Sequence, residues 1–214
     1  MSKHWKKDIF GTENSDYDPN FGFLDDVMYR FEISVTEISK NLTICKAINT
    51  YRKQSDEFPF MLRQIFNTTT KMNAIELYKL FEGRDKEDKS GMDSFSIHKY
   101  EYWLNNTNFE IRDQCLIIFS DFKKKIKKSD ITSVIKKDIQ FRNEFLAHWD
   151  MDKSMMYQYE LELTQKIVTI FSELILETSK LYDKPRSLIT HGVENDVFKL
   201  LKLINQKFDT SGGL

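Results

Sequence analysis

The chain predicts an all-α fold, and three observations carry that expectation. Three prolines and seven glycines among 214 residues leave few positions that interrupt a helix. Apolar residues recur at spacings of three and four over stretches much longer than a typical strand. Short alternating runs divided by turn residues, the mark of a sheet protein, are missing. The length suits a single buried core, and no Pro/Gly/Ser-rich linker divides it, so one domain is expected.

Residues 1–20 are polar and without period, which predicts a flexible arm. A first long helix is expected from Leu24 to Arg52, where Val27, Phe31, Val35, Ile38, Leu42, Cys45 and Ile48 form one apolar stripe. Pro59 disfavours helical geometry at Phe58 but suits the first turn of a second helix, predicted over Pro59 to Phe81. The charged, glycine-bounded stretch Gly83 to Gly91 has nothing to bury and reads as a mobile loop.

A short helix ending near Leu104, a turn at Asn105 to Asn108 and a helix from Phe109 to Lys127 follow. Ser129 or Asp130 then caps a helix running from Ile131 to His148. The longest uninterrupted pattern covers Ser154 to Tyr182, with Tyr157, Leu161, Thr164, Ile167, Val168, Phe171, Leu174 and Ile175 in register. Pro185 ends it. A last amphipathic helix from Glu194 to Phe208 precedes a tail expected to fray. The predicted organisation is an arm over 1–20, a helical bundle over 21–184, and a C-terminal helix with its tail over 185–214.

Composition narrows the function. The formal net charge is -1, so bulk charge does not mark a nucleic-acid binder, and any such surface must come from local clustering. Cys45 and Cys115 lie far apart in helical patterns, which predicts reduced, buried thiols in a cytoplasmic protein. No window supplies the roughly 20 apolar residues of a membrane span, and no secretory leader is recognisable. HExxH, paired CxxC and Asp-rich calcium loops are missing, so no metal is expected. Phosphate-loop, dinucleotide-binding and nucleophile-elbow glycine motifs are missing too, and no cofactor is expected.

The most informative segment is Arg142-Asn143-Glu144-Phe145-Leu146-Ala147-His148. Arg142 is permanently charged and grips a phosphate through two parallel hydrogen bonds. His148 exchanges protons near neutral pH, and Asn143 both donates and accepts. This set suits phosphate chemistry without a metal. The bland alternative is a helix end at which Arg142 forms a surface salt bridge and His148 caps the last carbonyls.

Lys123, Lys124, Lys125, Lys127 and Lys128 form the densest positive run, with Lys136 and Lys137 beyond it. Lys124, Lys125, Lys128 and Lys136 are the candidate phosphate contacts, and a solvated helix end is the alternative. Trp149 is placed to stack on a base or to be buried at the bundle end. His98 reads as core or surface, while His4 and His191 sit in irregular segments.

The run Phe141 to His148, an arginine and a polar residue followed five positions later by histidine, resembles the signature of the HEPN superfamily. The order of helix Asn73 to Phe81, charged loop and Ser94-Phe95-Ser96-Ile97 is similar to the AbiU-like branch of abortive-infection proteins. The resemblance covers residues 24–182 and implies an up-and-down four-helix bundle with additional short and C-terminal helices. It also implies a homodimeric, metal-independent endoribonuclease acting in phage defence or as a toxin, with an antitoxin or activator protein as a further partner. The alternative is a non-catalytic relative that binds RNA or protein; a third reading is a plain helical scaffold.

On an ideal helix, six positions give about 600° of rotation and about 9 Å of rise, leaving Arg142 and His148 about 120° apart. One chain therefore does not stack them on a single face, and a partner chain completing the set agrees with the dimeric sites of the family. In the catalytic reading His148 is general acid or base on a ribose 2′-hydroxyl or the leaving 5′-oxygen. Arg142 stabilises charge at phosphorus, and Asn143 positions the phosphate or the imidazole. The products would end in 2′,3′-cyclic phosphate or 3′-phosphate. Glu144 and Asp150 are candidates to orient His148. Asp150 also stands where members encoded beside nucleotidyltransferase antitoxins often carry tyrosine, which argues against silencing by nucleotide transfer there.

Overall fold

The computed structural model describes residues 19–54, 60–81, 96–128, 131, 161–184 and 186, and over them the chain is an all-α helical bundle. Five helices follow in order: α1 (Pro19–Gln54), α2 (Phe60–Phe81), α3 (Ile97–Asn106), α4 (Arg112–Lys128) and α5 (Leu161–Lys180). Residues 1–18 of the predicted arm, the glycine-bounded loop, the motif helix beyond Ile131 and the last helix lie outside the described residues, while Pro19 and Asn20, predicted as part of the arm, open α1.

The stripe predicted for α1 is buried at every position from Val27 to Ile48. It packs against α2 on one side and α5 on the other. Both neighbours run antiparallel to α1. Ser34 Oγ donates to Glu76 at 2.8 Å while Cys45 lies beside Thr70, and Lys46 reaches Gln165 while Tyr182 reaches Asp25. Helix α1 begins earlier than its pattern predicts. Asn20 and Gly22 are weak helix formers, but Phe21 and Phe23 on that first turn meet Phe109 and Trp103, at 6.4 and 4.8 Å between ring centroids.

Phe171 on α5 is the aromatic centre of the main core. Phe31, Phe81 and Phe122 meet it nearly edge to face at 5.7, 5.3 and 4.9 Å, bringing α1, α2 and α4 to one point. Rings in this geometry place a positive edge against a negative face. A smaller cluster of Ala47, Ile48 and Leu62 closes the other end of the α1–α2 pair. Between the two clusters the buried face of α2 turns polar at Thr69 and Thr70, whose hydroxyls donate to the carbonyls of Ile65 and Phe66 one turn back.

Asn105 and Asn106, predicted to turn, are the last residues of α3. Each side-chain amide donates to a carbonyl four residues earlier, Glu101 at 2.9 Å and Tyr102 at 2.7 Å, so the amides satisfy the helix end instead of nucleating a turn. At the start of α3, Ser96 is an extended N-cap whose Oγ accepts from the Lys99 N–H. Helix α5 ends at a left-handed residue, Asp183 with φ of 53°, and the Lys184 N–H closes back on the Ser179 carbonyl at 3.3 Å. That reversal returns the chain to α1, where Arg186 binds Asp25 and Glu32.

Candidate functional site

The sequence-predicted site divides in two. Arg142, Asn143, Glu144, His148, Trp149, Asp150 and Lys136 lie outside the described residues. Lys124, Lys125 and Lys128 occupy the last two turns of α4. Ile131, where the motif helix is predicted to begin, is fully buried in the main core, so this position is anchored to the bundle.

The α4 lysines sit at the end of the helix where unsatisfied carbonyls concentrate partial negative charge, which favours cations there. Helical phase then separates them. Ser120, Lys123, Lys124 and Lys127 fall at spacings of three and four on one face and line a groove against α3. Lys125 points a further quarter-turn round, toward α5. Its ammonium lies 2.8 Å from Asp121 and 2.9 Å from Glu173. The hydrogen bonds that Lys125 donates to those two carboxylates push its pKa above the ordinary lysine range, and Lys125 in turn lowers that of Asp121.

The groove has a volume of about 380 Å³ and an apolar floor of Leu116 and Phe119. Glu101 and Asn105 of α3 form its opposite wall. Arg112 fixes the corner between the two helices, since its Nε donates to the Leu104 carbonyl at 2.8 Å. Phe109 fills the inside of that corner against Trp103 at 4.8 Å. Lys123 bridges the groove to Glu101 at 2.5 Å, and its ammonium lies 5.8 Å from the centre of the Phe119 ring. Lys124 and Lys127 remain exposed beside it, as does Lys128 at the helix end. With three lysines and one glutamate, the groove carries a formal charge of +2.

Of the groove residues, the sequence marks Lys124 as a candidate and Lys123 and Lys127 as part of the positive run, but carries no such mark at Glu101, Asn105 and Ser120. The spacing Ser120-Lys123-Lys124-Lys127 held the signal for the α4 wall, whereas the α3 wall depends on a tertiary contact. Among the described residues no group of three or more His, Cys, Asp or Glu side chains is placed to hold a metal ion. Among them, too, no helix is long and apolar enough to cross a membrane. Cys45 and Cys115 are free and buried.

The fold and groove define an all-α helical bundle with a cationic surface groove between α3 and α4. No family model matches the chain, and no curated protein or solved structure matches it either.

Proposed function

We propose that the protein is a metal-independent endoribonuclease of the HEPN type, acting as a cytoplasmic homodimer in phage defence or as a toxin. The observation that carries this reading is the run Arg142-Asn143 followed by His148 in an all-α chain. Two further facts support it: the helical class is the one the resemblance implies, and the helix preceding the motif ends in a lysine cluster suited to phosphate.

In this mechanism His148 takes the proton of the ribose 2′-hydroxyl or supplies one to the leaving 5′-oxygen. Arg142 offsets the charge that builds on the phosphoryl oxygens, and Asn143 holds the phosphate or the imidazole in place. The 2′-oxygen attacks phosphorus as the bond to the 5′-oxygen breaks, leaving a 2′,3′-cyclic phosphate. Glu144 and Asp150 orient His148, Trp149 stacks on a base, and Lys128 and Lys136 neutralise neighbouring phosphates. The second chain of a dimer brings a second copy of the motif to the site.

The test is incubation of labelled single-stranded and transfer RNA in EDTA with wild type, Arg142→Ala and His148→Ala, with analysis of the new ends. Cleavage to cyclic or 3′-phosphate ends, lost by about 10²- to 10⁴-fold in His148→Ala with native helicity retained, is the expected result. RNA retention by wild type without cleavage would leave a binding protein. No effect of either substitution beyond stability would leave a scaffold.

A further inference from the structure

We infer that the groove between α3 and α4 carries the backbone of single-stranded RNA, with Lys124 and Lys127 on successive phosphates and Tyr102 as the stacking face for a base. The choice of RNA rests on the ribonuclease reading; the placement rests on the groove.

Four observations lead there. First, Lys124 and Lys127 stand nearly one helical turn apart along the same wall, roughly 4.5 Å by rise, so each ammonium meets a different point of an extended polyanion. Second, the partners of the neighbouring lysines are already assigned: Lys123 pairs with Glu101 inside the groove, and Lys125 is drawn out of it by Asp121 and Glu173. Third, the groove is open at the surface rather than closed, and its floor of Leu116 and Phe119 is apolar. That combination suits a chain laid across it, with sugars and bases on the floor and phosphates at the lysine rim.

Fourth, α3 carries an exposed ring beside the face that walls the groove. Tyr102, three residues from Asn105 and next to Glu101, is 69% exposed, so its ring face is open to a stacking partner. Its backbone is held, because the Tyr102 carbonyl accepts from Asn106 at 2.7 Å. A base in a duplex is already stacked on both faces, whereas an unpaired base has a face free for tyrosine. The pairing of a lysine row with such a ring therefore favours a single strand over a duplex.

The measurement is fluorescence anisotropy of a labelled 2′-O-methyl oligouridylate, which lacks the hydroxyl that cleavage needs, bound to the full chain at salt concentrations from about 50 to 200 mM. Each phosphate contact on a single strand contributes about 0.7 to the slope of log affinity against log salt, so Lys124→Ala with Lys127→Ala lowers the slope by about 1.4. Lys124→Arg with Lys127→Arg restores it. Tyr102→Ala weakens binding about tenfold. Lys40→Ala with Lys79→Ala, two lysines paired within α1 and α2, removes equal charge and leaves the slope unchanged.

Absence of binding by wild type overturns the inference, as does an unchanged slope in the double alanine variant when its circular dichroism is native. An unchanged affinity in Tyr102→Ala, or equal affinity for a duplex, overturns the single-strand assignment. Displacement of the RNA by oligoglutamate at matched charge overturns the nucleic-acid assignment in favour of an acidic peptide. The two readings fail separately. Unmodified RNA cut normally by the double alanine variant at unchanged affinity sinks the groove alone, and tight binding in the groove with no cleavage of unmodified RNA sinks the nuclease alone.

Discussion

The Lys125 ammonium lies 2.9 Å from a carboxylate oxygen of Glu173, and this contact joins the C-terminal half of α4 to α5. One residue earlier in sequence, Lys124 faces the α3 groove instead. A rotation of about 100° per residue thus divides a lysine run into a structural cation and a surface one. Lys125→Ala is expected to lower stability by about 0.5 kcal/mol in low salt, since the pair is solvent-screened, and by less in high salt. Urea melts at two ionic strengths check this. A salt slope for RNA binding that falls as much in Lys125→Ala as in Lys124→Ala would show that the ion pairs do not hold this side chain.

Phe171 is fully buried and is shared by three other rings, one from each of α1, α2 and α4. Phe171→Ala removes the buried ring from all three neighbours and leaves a cavity that their fixed backbones do not fill. The expected loss is about 3 to 5 kcal/mol, with Phe171→Leu costing clearly less. Chemical denaturation reads it directly. A loss below 1 kcal/mol for the alanine variant would mean that the helices close over the gap.

Much of this fold is legible in the sequence where burial follows one helix at a time. The α1 stripe from Val27 to Ile48 and the α5 positions Thr164, Ile167, Val168, Phe171, Leu174 and Ile175 are buried as their spacing predicts, while Leu161 of the same predicted set is half-buried at the start of α5 and Tyr157 lies outside the described residues. The discrepancies come from contacts distant in sequence. Pro19–Phe23 extend α1 because Trp103 and Phe109 receive Phe23 and Phe21, and no period within that segment reveals those partners. The candidate site shows the same limit. A lysine run is visible at once, but the division between Lys124 and Lys125 requires the positions of Glu101 on α3 and Glu173 on α5. The Arg142 and His148 motif rests on residue chemistry and the resemblance, and it lies outside the described residues.

Cys45 and Cys115 are both fully buried, and burial pushes each thiol up to about 11. The thiolate is the reactive form, so at pH 8 each is about a thousandfold less populated than the neutral thiol. Native protein is expected to react with iodoacetamide slowly at both positions, and protein in denaturant quickly. Mass spectrometry after timed labelling distinguishes the two thiols. Rapid native labelling at Cys115 would indicate opening of the α3–α4 corner on the labelling timescale.

Arg186 closes the far end of the bundle, and the closure depends on pH with a definite sign. Its side chain is only 12% exposed and forms ion pairs with Asp25 and Glu32, the latter at 2.6 Å, while one terminal nitrogen also donates to the Asp25 carbonyl at 2.9 Å. Burial by itself disfavours the charged Asp25 carboxylate, but hydrogen bonds and charge from Lys184 and Arg186 outweigh it and hold its pKa below the ordinary value of 3.8. A depressed carboxylate pKa means that the folded state binds the proton less readily than the unfolded state. Its stabilisation is therefore complete above the unfolded value and is lost as pH falls through the folded one. Tyr182, pushed up to about 12 chiefly by burial, gives the opposite limit: its contribution is present below the ordinary tyrosine value of 10.0 and is lost as pH rises through 12. Arg186→Ala is expected to cost about 1 to 3 kcal/mol at pH 7 by taking this donor from the half-buried Glu32 carboxylate and leaving Asp25 with Lys184 and Tyr182 alone. Asp25→Asn should cost stability at pH 7, and its deficit relative to wild type should shrink as pH falls below about 3.8. Urea melts of wild type and Asp25→Asn from pH 7 to pH 3 test the sign, and a deficit that stays constant over that range would remove Asp25 from the acid response.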